Sequence, residues 1–223
     1  MTEPNETHWF AGGGRGAEAY EHYVGRWSRQ VGKKFLDWLS LPASLDWVDV
    51  GCGTGALVET ILDRNDPSSV IGVEPSEGYL SAARARIQDE RSGFKSGNAM
   101  SLPLNDASVD VAVSGLVDGG DHDEGKQFPI CKPEPLADLF RAISLEAVDV
   151  GALDIPTEFV DFNDYWSPFL RGQGPAGSYC VSLSESDRER LRSHLENSLP
   201  IRSDGRIHLI ARAWGAKGIV PSQ

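Results

Sequence analysis

The chain has 223 residues, 40% of them hydrophobic and 24% charged, with a formal net charge of −12 and a pI near 4.8. This is enough apolar material for a well-buried core. The acidity argues against a nucleic-acid partner, because the 21 Lys and Arg are scattered rather than gathered into a basic face. Three cysteines (Cys52, Cys131, Cys180) without a C-x-x-C pair indicate neither a disulfide framework nor a zinc site. No leader-like start and no membrane-length apolar run is visible, so a cytoplasmic protein free of the membrane is expected.

In chain order, a polar start gives way to helix over Ala17 to Leu39, with Val31, Phe35, Trp38 and Leu39 at core spacing. Pro42 ends it, and a buried strand is predicted from Leu45 to Val50. That strand breaks into Gly51-Cys52-Gly53-Thr54-Gly55 and re-enters a helix at Leu57 to Leu62. A strand that delivers alternating glycines to a helix N-terminus builds a cofactor cradle: backbone can approach a ligand closely, and unpaired N–H groups face it. Cys52 is expected to be a small packing residue. The next strand, Val70 to Glu74, ends in an acid about 20 residues beyond the first glycine, where a ribose diol is gripped.

The same glycines satisfy G-x-G-x-x-A, so a nicotinamide or flavin dinucleotide remains an alternative. Asp49 argues against it, since a carboxylate two residues before the first glycine suits an ammonium or sulfonium better than a pyrophosphate. Further on, Pro75 opens a helix carrying Tyr79, Leu80, Ala83 and Ile87, a weak strand covers Phe94 to Gly97, and a fourth strand covers Val109 to Ser114.

The run from Asp49 to Gly55 resembles the first motif of class I S-adenosylmethionine-dependent methyltransferases. The likeness continues through Glu74-Pro75-Ser76, Gly97 to Leu104, and Ser108 to Ser114. It implies a Rossmann-like, doubly wound, mostly parallel α/β sheet with an antiparallel last strand. It also implies S-adenosyl-L-methionine as cofactor and a small-molecule methyl acceptor. Asp49 and the backbone of Gly51, Cys52, Gly53 and Gly55 would hold the amino-acid end. Glu74, followed by Pro75, would hold the ribose hydroxyls. Asn98 with Ala99 would meet adenine, and Ser114 would line the methyl-transfer end. The family usually has Asp where Asn98 stands, but its amide oxygen can accept the same bond. In related proteins the N-terminal segment folds over the cofactor. Arg26 would then clamp the methionine carboxylate, unless it is simply a solvated arginine.

Departure from the family begins after the fourth strand. Asp118 to Gln127 is polar, glycine-rich and without period, and by Lys132-Pro133 the chain is entering an amphipathic helix. That helix and a strand over Ala147 to Ile155 look like the family's late elements. One helical pair and one strand are therefore expected to be absent, an excision on the order of 50 residues given the size of βαβ units. Helix is predicted over Thr157 to Leu170 from its aromatic spacing, either as a core stripe or, through Asn163, Tyr165 and Trp166, as a pocket wall. A loop is predicted over Gly172 to Gly177, a helix capped by Ser184 and Asp187, and a last strand over Arg206 to Trp214. Six strands rather than seven are expected, with that last strand closing onto Val109 to Val113 and stability at the low end for such a domain.

The sequence is thus organised as a single methyltransferase-like domain, 1–223. It comprises an N-terminal helical cover (1–44), a cofactor-binding half (45–116), an irregular loop (117–132) and a C-terminal half (133–223). Two functional alternatives accompany the methyltransferase expectation: a NAD(P)-type oxidoreductase, and a non-catalytic methyltransferase relic that binds the cofactor or a partner. The cluster Asp118, Asp121, His122, Asp123 and Glu124 fits no metal-ligand spacing, so no metal is expected. A monomer and a homodimer are both compatible with the sequence.

Overall fold

The computed structural model describes residues 26–115, 132–172 and 174–221. The chain divides into two compact units, Met1–Asp118 and Gly119–Gln223. No helix among the described residues is long and apolar enough to cross a membrane.

The first unit contains helix α1 (Arg26–Leu39), strand β1 (Asp46–Val50), α2 (Ala56–Arg64), β2 (Ser69–Glu74), α3 (Glu77–Arg86), β3 (Ser92–Ser96) and β4 (Val111–Val113). The strands form one parallel sheet in the order β3-β2-β1-β4. Central β1 and β2 carry apolar residues on successive positions, as strands covered on both faces must. Trp47, Val70, Leu36, Val58, Ile61, Leu80 and Val113 form one buried cluster, with Trp47, Val58, Ile61, Val70 and Leu80 fully excluded from solvent. Ser76 caps α3 by accepting from the Tyr79 N–H at 3.5 Å, so the helix starts one residue after Pro75–Ser76 rather than on Pro75.

β4 is only three residues long, shorter than the expected Val109–Ser114. Both of its ends are nonetheless tied to β1: the Asp46 N–H donates to Asp110 Oδ2 at 2.8 Å, and Ser114 Oγ donates to the Val50 carbonyl at 2.8 Å.

The second unit contains α4 (Pro133–Ala142), β5 (Glu146–Phe159), α5 (Phe162–Trp166) continued by a 3₁₀ turn over Ser167–Arg171, α6 (Gly174–Ser182), α7 (Glu185–Ser198) and β6 (Ile207–Ile219). β5 and β6 form a two-stranded antiparallel ribbon, with Phe159 opposite Ile207 and Ala152 opposite Trp214. The expected closure of Val109–Val113 by the last strand is therefore overturned. β6 spends its length on β5, and the six strands among the described residues fall into sheets of four and two.

Two local expectations also change. Thr157 to Phe159 belong to β5 rather than to a helix, because cross-strand pairing to Leu209, His208 and Ile207 outweighs the aromatic spacing. A loop was expected over Gly172 to Gly177, but its Gly174 to Gly177 part opens the helix Gly174–Ser182, Pro175 falling in the first turn, where a missing N–H costs nothing. The aromatic run forms core: Phe162, Trp166, Cys180 and Ile207 are buried together, flanked by Phe159, Tyr165, Phe169, Leu191, Leu195 and Leu199. Ser184 caps α7 as expected, accepting from the Asp187 N–H at 3.2 Å.

Ile61 is completely buried between α2 and the sheet. Ile61→Ala is expected to lower unfolding stability by about 2–5 kcal/mol, the cost of the lost side chain plus the cavity it leaves. Denaturant titration followed by tryptophan fluorescence checks this; an unchanged midpoint would mean the α2–sheet packing is not as described.

Candidate functional site

The site is built where β1 and β2 end. The Gly51 and Cys52 N–H groups both donate to the Val73 carbonyl, at 2.8 and 3.1 Å, so the chain leaves the sheet abruptly after Val50. The Gly55 N–H then closes onto the Cys52 carbonyl at 2.8 Å, and α2 begins. Gly51 and Gly53 have φ of +79° and +52°, and a Cβ on either would meet nothing within 4 Å. The outer side of this turn is open space bordered by backbone. Gly55 differs: its Cβ would come within 2.7 Å of Ile87 Cδ1 and 3.4 Å of Ala83 Cβ, so this glycine lets α2 and α3 approach.

Glu74 couples the two turns. One carboxylate oxygen accepts from the Gly53 N–H at 3.1 Å and the other from the Ser76 N–H at 3.0 Å, while the side chain is buried. Each oxygen keeps a lone pair for a further donor. Asp49 lies on the sheet face that Trp47 shares with the helical core, and is 1% exposed. Its Oδ2 has no hydrogen-bond partner. Burial, and secondarily the Glu74 charge, push its carboxyl up to about 7. The Cys52 thiol is also pushed well up, first by burial and then by Asp49 and Glu74. It is therefore an inert packing group, as the sequence indicated.

Gly72, which sequence reasoning passed over, belongs to the same construction. A Cβ there would lie 2.7 Å from Cys52 Sγ and 2.8 Å from Phe94 Cδ1. An isolated glycine inside an otherwise apolar strand was the available signal.

Among the remaining predicted residues, Pro75 is exposed beside Glu74 and Ser114 stands at the end of β4 bonded to Val50. Asn98 and Ala99 lie in the segment after β3, both exposed. The Asn98 amide oxygen already accepts from the Met100 and Ser101 N–H groups, at 2.9 and 3.1 Å, closing an Asx-type turn. Both lone pairs of that oxygen are used within the chain, which leaves its NH₂ group to face a ligand. The Arg26 side chain and residues 116–131, including the Asp118–Glu124 cluster, lie outside the described residues.

A cavity of about 410 Å³ in the same unit is bordered by Val48, Ala99, Leu102, Leu104, Asp106 and Ala112. Val48 and its β4 partner Ala112 alternate with Asp49, so this cavity opens on the opposite sheet face from the buried acid. Apart from Ala99, none of the predicted site residues borders it.

Residues 48–125 match a family model described as a methyltransferase domain. A malonyl-[acyl-carrier protein] O-methyltransferase from Acetivibrio thermocellus is 29% identical over 45% of this chain and 35% of its own length. A trans-aconitate 2-methyltransferase from Variovorax paradoxus is 27% identical over 57% of this chain and 55% of its own. The chain thus spans between a third and just over half of these curated relatives. Among solved structures, the Haemonchus contortus phosphoethanolamine N-methyltransferase 2 in complex with S-adenosyl-L-methionine aligns over 92% of this chain and 57% of its own. The TM-score is 0.52 at 15% identity, a likeness of fold. The YcgJ protein from Bacillus subtilis aligns over 84% of this chain and 98% of its own, with a TM-score of 0.50 at 16% identity.

The buried Asp49 makes stability depend on pH with a definite sign. Its folded-state value, about 7, lies above the ordinary carboxylate value, so the folded protein binds the extra proton. Stability is expected to fall as pH rises from about 4 to about 7 and to level off above. The loss is on the order of a few kcal/mol, since a tenfold change in proton affinity corresponds to about 1.4 kcal/mol. Asp49→Asn is expected to flatten that segment of the curve. Denaturation midpoints of parent and variant across this range check it, and parallel curves would contradict the assignment.

Proposed function

We propose that this chain, whose residues 48–125 match a methyltransferase domain, binds S-adenosyl-L-methionine at the β1–α2 turn and delivers its methyl group to a small-molecule acceptor, as a class I methyltransferase. The observation that carries this reading is the pairing of an orphaned buried carboxylate with a glycine turn whose outer side is open. Asp49 Oδ2 lacks a partner, and Cβ atoms at Gly51 and Gly53 would enter empty space. A ligand that brings a cation beside backbone N–H groups satisfies both features. A cation near Asp49 would also pull its carboxyl back down and keep it ionised at neutral pH.

The residues fit the group in detail. Asp49 and the Gly51–Gly53 backbone would hold the amino-acid end. Glu74, with a lone pair free on each oxygen, would accept both ribose hydroxyls without giving up its bonds to Gly53 and Ser76. Pro75, Asn98 and Ala99 would border the adenine, Asn98 through its NH₂ group. Ser114, at the C-terminal end of β4, would stand toward the methyl. Arg26 is proposed as a partner for the methionine carboxylate. The bound cofactor supplies an electrophilic methyl on sulfur. The chain's own contribution is to orient donor and acceptor and to exclude water, which needs no protein nucleophile. The relatives named above differ in acceptor, malonyl-[acyl-carrier protein] for one and trans-aconitate for another, so no individual acceptor is carried over from them.

The test is calorimetric titration with S-adenosylmethionine and, as a competitor for the same kind of turn, NADH. Saturable binding of the first and none of the second is expected. Binding without turnover on an acceptor panel would favour a cofactor-binding relic. Within the titration, Glu74→Ala is expected to weaken binding by roughly 10- to 100-fold, since bonds to a charged group are worth about 1.5–3 kcal/mol. Asn98→Ala is expected to cost about fivefold, one neutral bond. With folding verified by circular dichroism, equal affinities for Glu74→Ala and the parent would remove the ribose assignment.

A further inference from the structure

The two outer edges of the β5–β6 ribbon are unlike. β5 carries Pro156, which lacks an N–H for a further strand, a register shift between Glu146 and Asp149, and the acids Glu146, Asp149, Asp154 and Glu158. Proline, irregularity and charge are the devices that keep an edge from pairing. β6, thirteen residues long, has no proline and pairs in continuous register from Ile207 to Lys217. Its basic side chains are answered within the ribbon. Arg212 is held bidentately by Asp154 at 2.6 and 2.7 Å, His208 Nδ1 lies 3.4 Å from Glu158, and Lys217 Nζ lies 3.9 Å from Asp149. The charges that would guard this edge are thus largely neutralised by its partner. Ile210 is 75% exposed, Ile219 62% and Trp214 36%. Among the described residues no third strand lies against β6, whose outer edge is met only by an isolated bridge from Ile201 to Ile207 at its start.

We propose that β6 is a self-association edge, pairing antiparallel with β6 of a second copy of this chain to form a continuous four-stranded sheet, β5-β6-β6-β5. The occupant follows from the sequence of the strand. A two-fold axis at its midpoint, Ala213, sets Arg212 opposite Trp214 of the partner subunit, Ile210 opposite Ala216 of the partner subunit, and Leu209 opposite Lys217 of the partner subunit. No charge meets a charge. Within one chain the Arg212 guanidinium already lies 5.7 Å from the Trp214 ring centre, so the cross-copy pair repeats a contact these residues make. A strongly acidic or basic foreign strand would find no unbalanced charge on β6 to meet. The symmetric pair is closed, and it leaves outermost the two β5 edges, which are the guarded ones. It also gives the ribbon the third and fourth strands that make a sheet robust, since two strands alone are marginal.

The experiment is sedimentation velocity on the full chain over a micromolar dilution series, with two variants at the same exposed position. The parent is expected to sediment as a concentration-dependent dimer. Trp214→Arg sets guanidinium against guanidinium twice across the axis, and is expected to weaken association on the order of tenfold or more. Trp214→Glu sets carboxylate against guanidinium and is expected to retain the dimer. Hydrogen exchange gives a readout on the parent alone: amide protection along β6 rises with protein concentration while that along β5 does not. A parent that is monomeric throughout, variants that dissociate alike, or β6 protection independent of concentration would each overturn the proposal.

Discussion

One carboxylate organises the glycine-turn end of the first unit. Glu74 closes β2, and its two oxygens receive the N–H of Gly53 from one turn and of Ser76 from the next. Both turns, which lead into α2 and α3, are thereby registered to each other through a single buried side chain. A neutral acceptor would hold these amides less firmly, because bonds to an ionised group are shorter and stronger. The arrangement keeps the turn in shape before anything binds, which limits the ordering cost of binding.

The second acid has the opposite character. Asp49 is enclosed by the packing that makes β1 a central strand, and one of its oxygens has no partner. A fold left to itself would not keep such a group, since a buried polar atom without a hydrogen bond costs stability. Two neighbouring carboxylates therefore differ by environment: Glu74 accepts one backbone bond on each oxygen, and Asp49 keeps an oxygen without a partner. Gly72 and Phe94 matter here because they fix where Cys52 Sγ lies, and through it the start of the turn.

The strand–turn–helix and its two acids were legible because their signals are local. Three alternating glycines, an acid before them and an acid ending the next strand specify backbone shape and charge within a few tens of residues. Cys52 and the Ser184–Asp187 cap were legible for the same reason. Thr157 to Phe159 were misread because aromatic spacing is a short-range pattern, whereas their strand state is set by Leu209, His208 and Ile207, some 50 residues away. The expected closure of the first sheet by the last strand failed for the same reason. Whether β6 seeks β4 or β5 is a competition between distant pairings, and β5 offers acids placed opposite His208, Arg212 and Lys217 of β6. The use of the Asn98 oxygen inside its own turn was hidden too, because an Asx turn and a ligand contact ask for the same residue type.

β4 is three residues long and is clamped at both ends by side chains, Asp110 onto the Asp46 amide and Ser114 onto the Val50 carbonyl, each bond spanning 64 positions of sequence. Closing so long a loop for so few ladder bonds costs chain entropy before much is gained. β4 is then the late-arriving strand of its sheet and the first to detach, while β1, β2 and β3, joined through short helical crossovers, stay assembled. Ser114 travels with it. The wall that the methyl-transfer end would rest on is thus the most loosely committed part of the sheet in time as well as in space, and the Ala112 amide should exchange with solvent ahead of those of Val48 and Ile71.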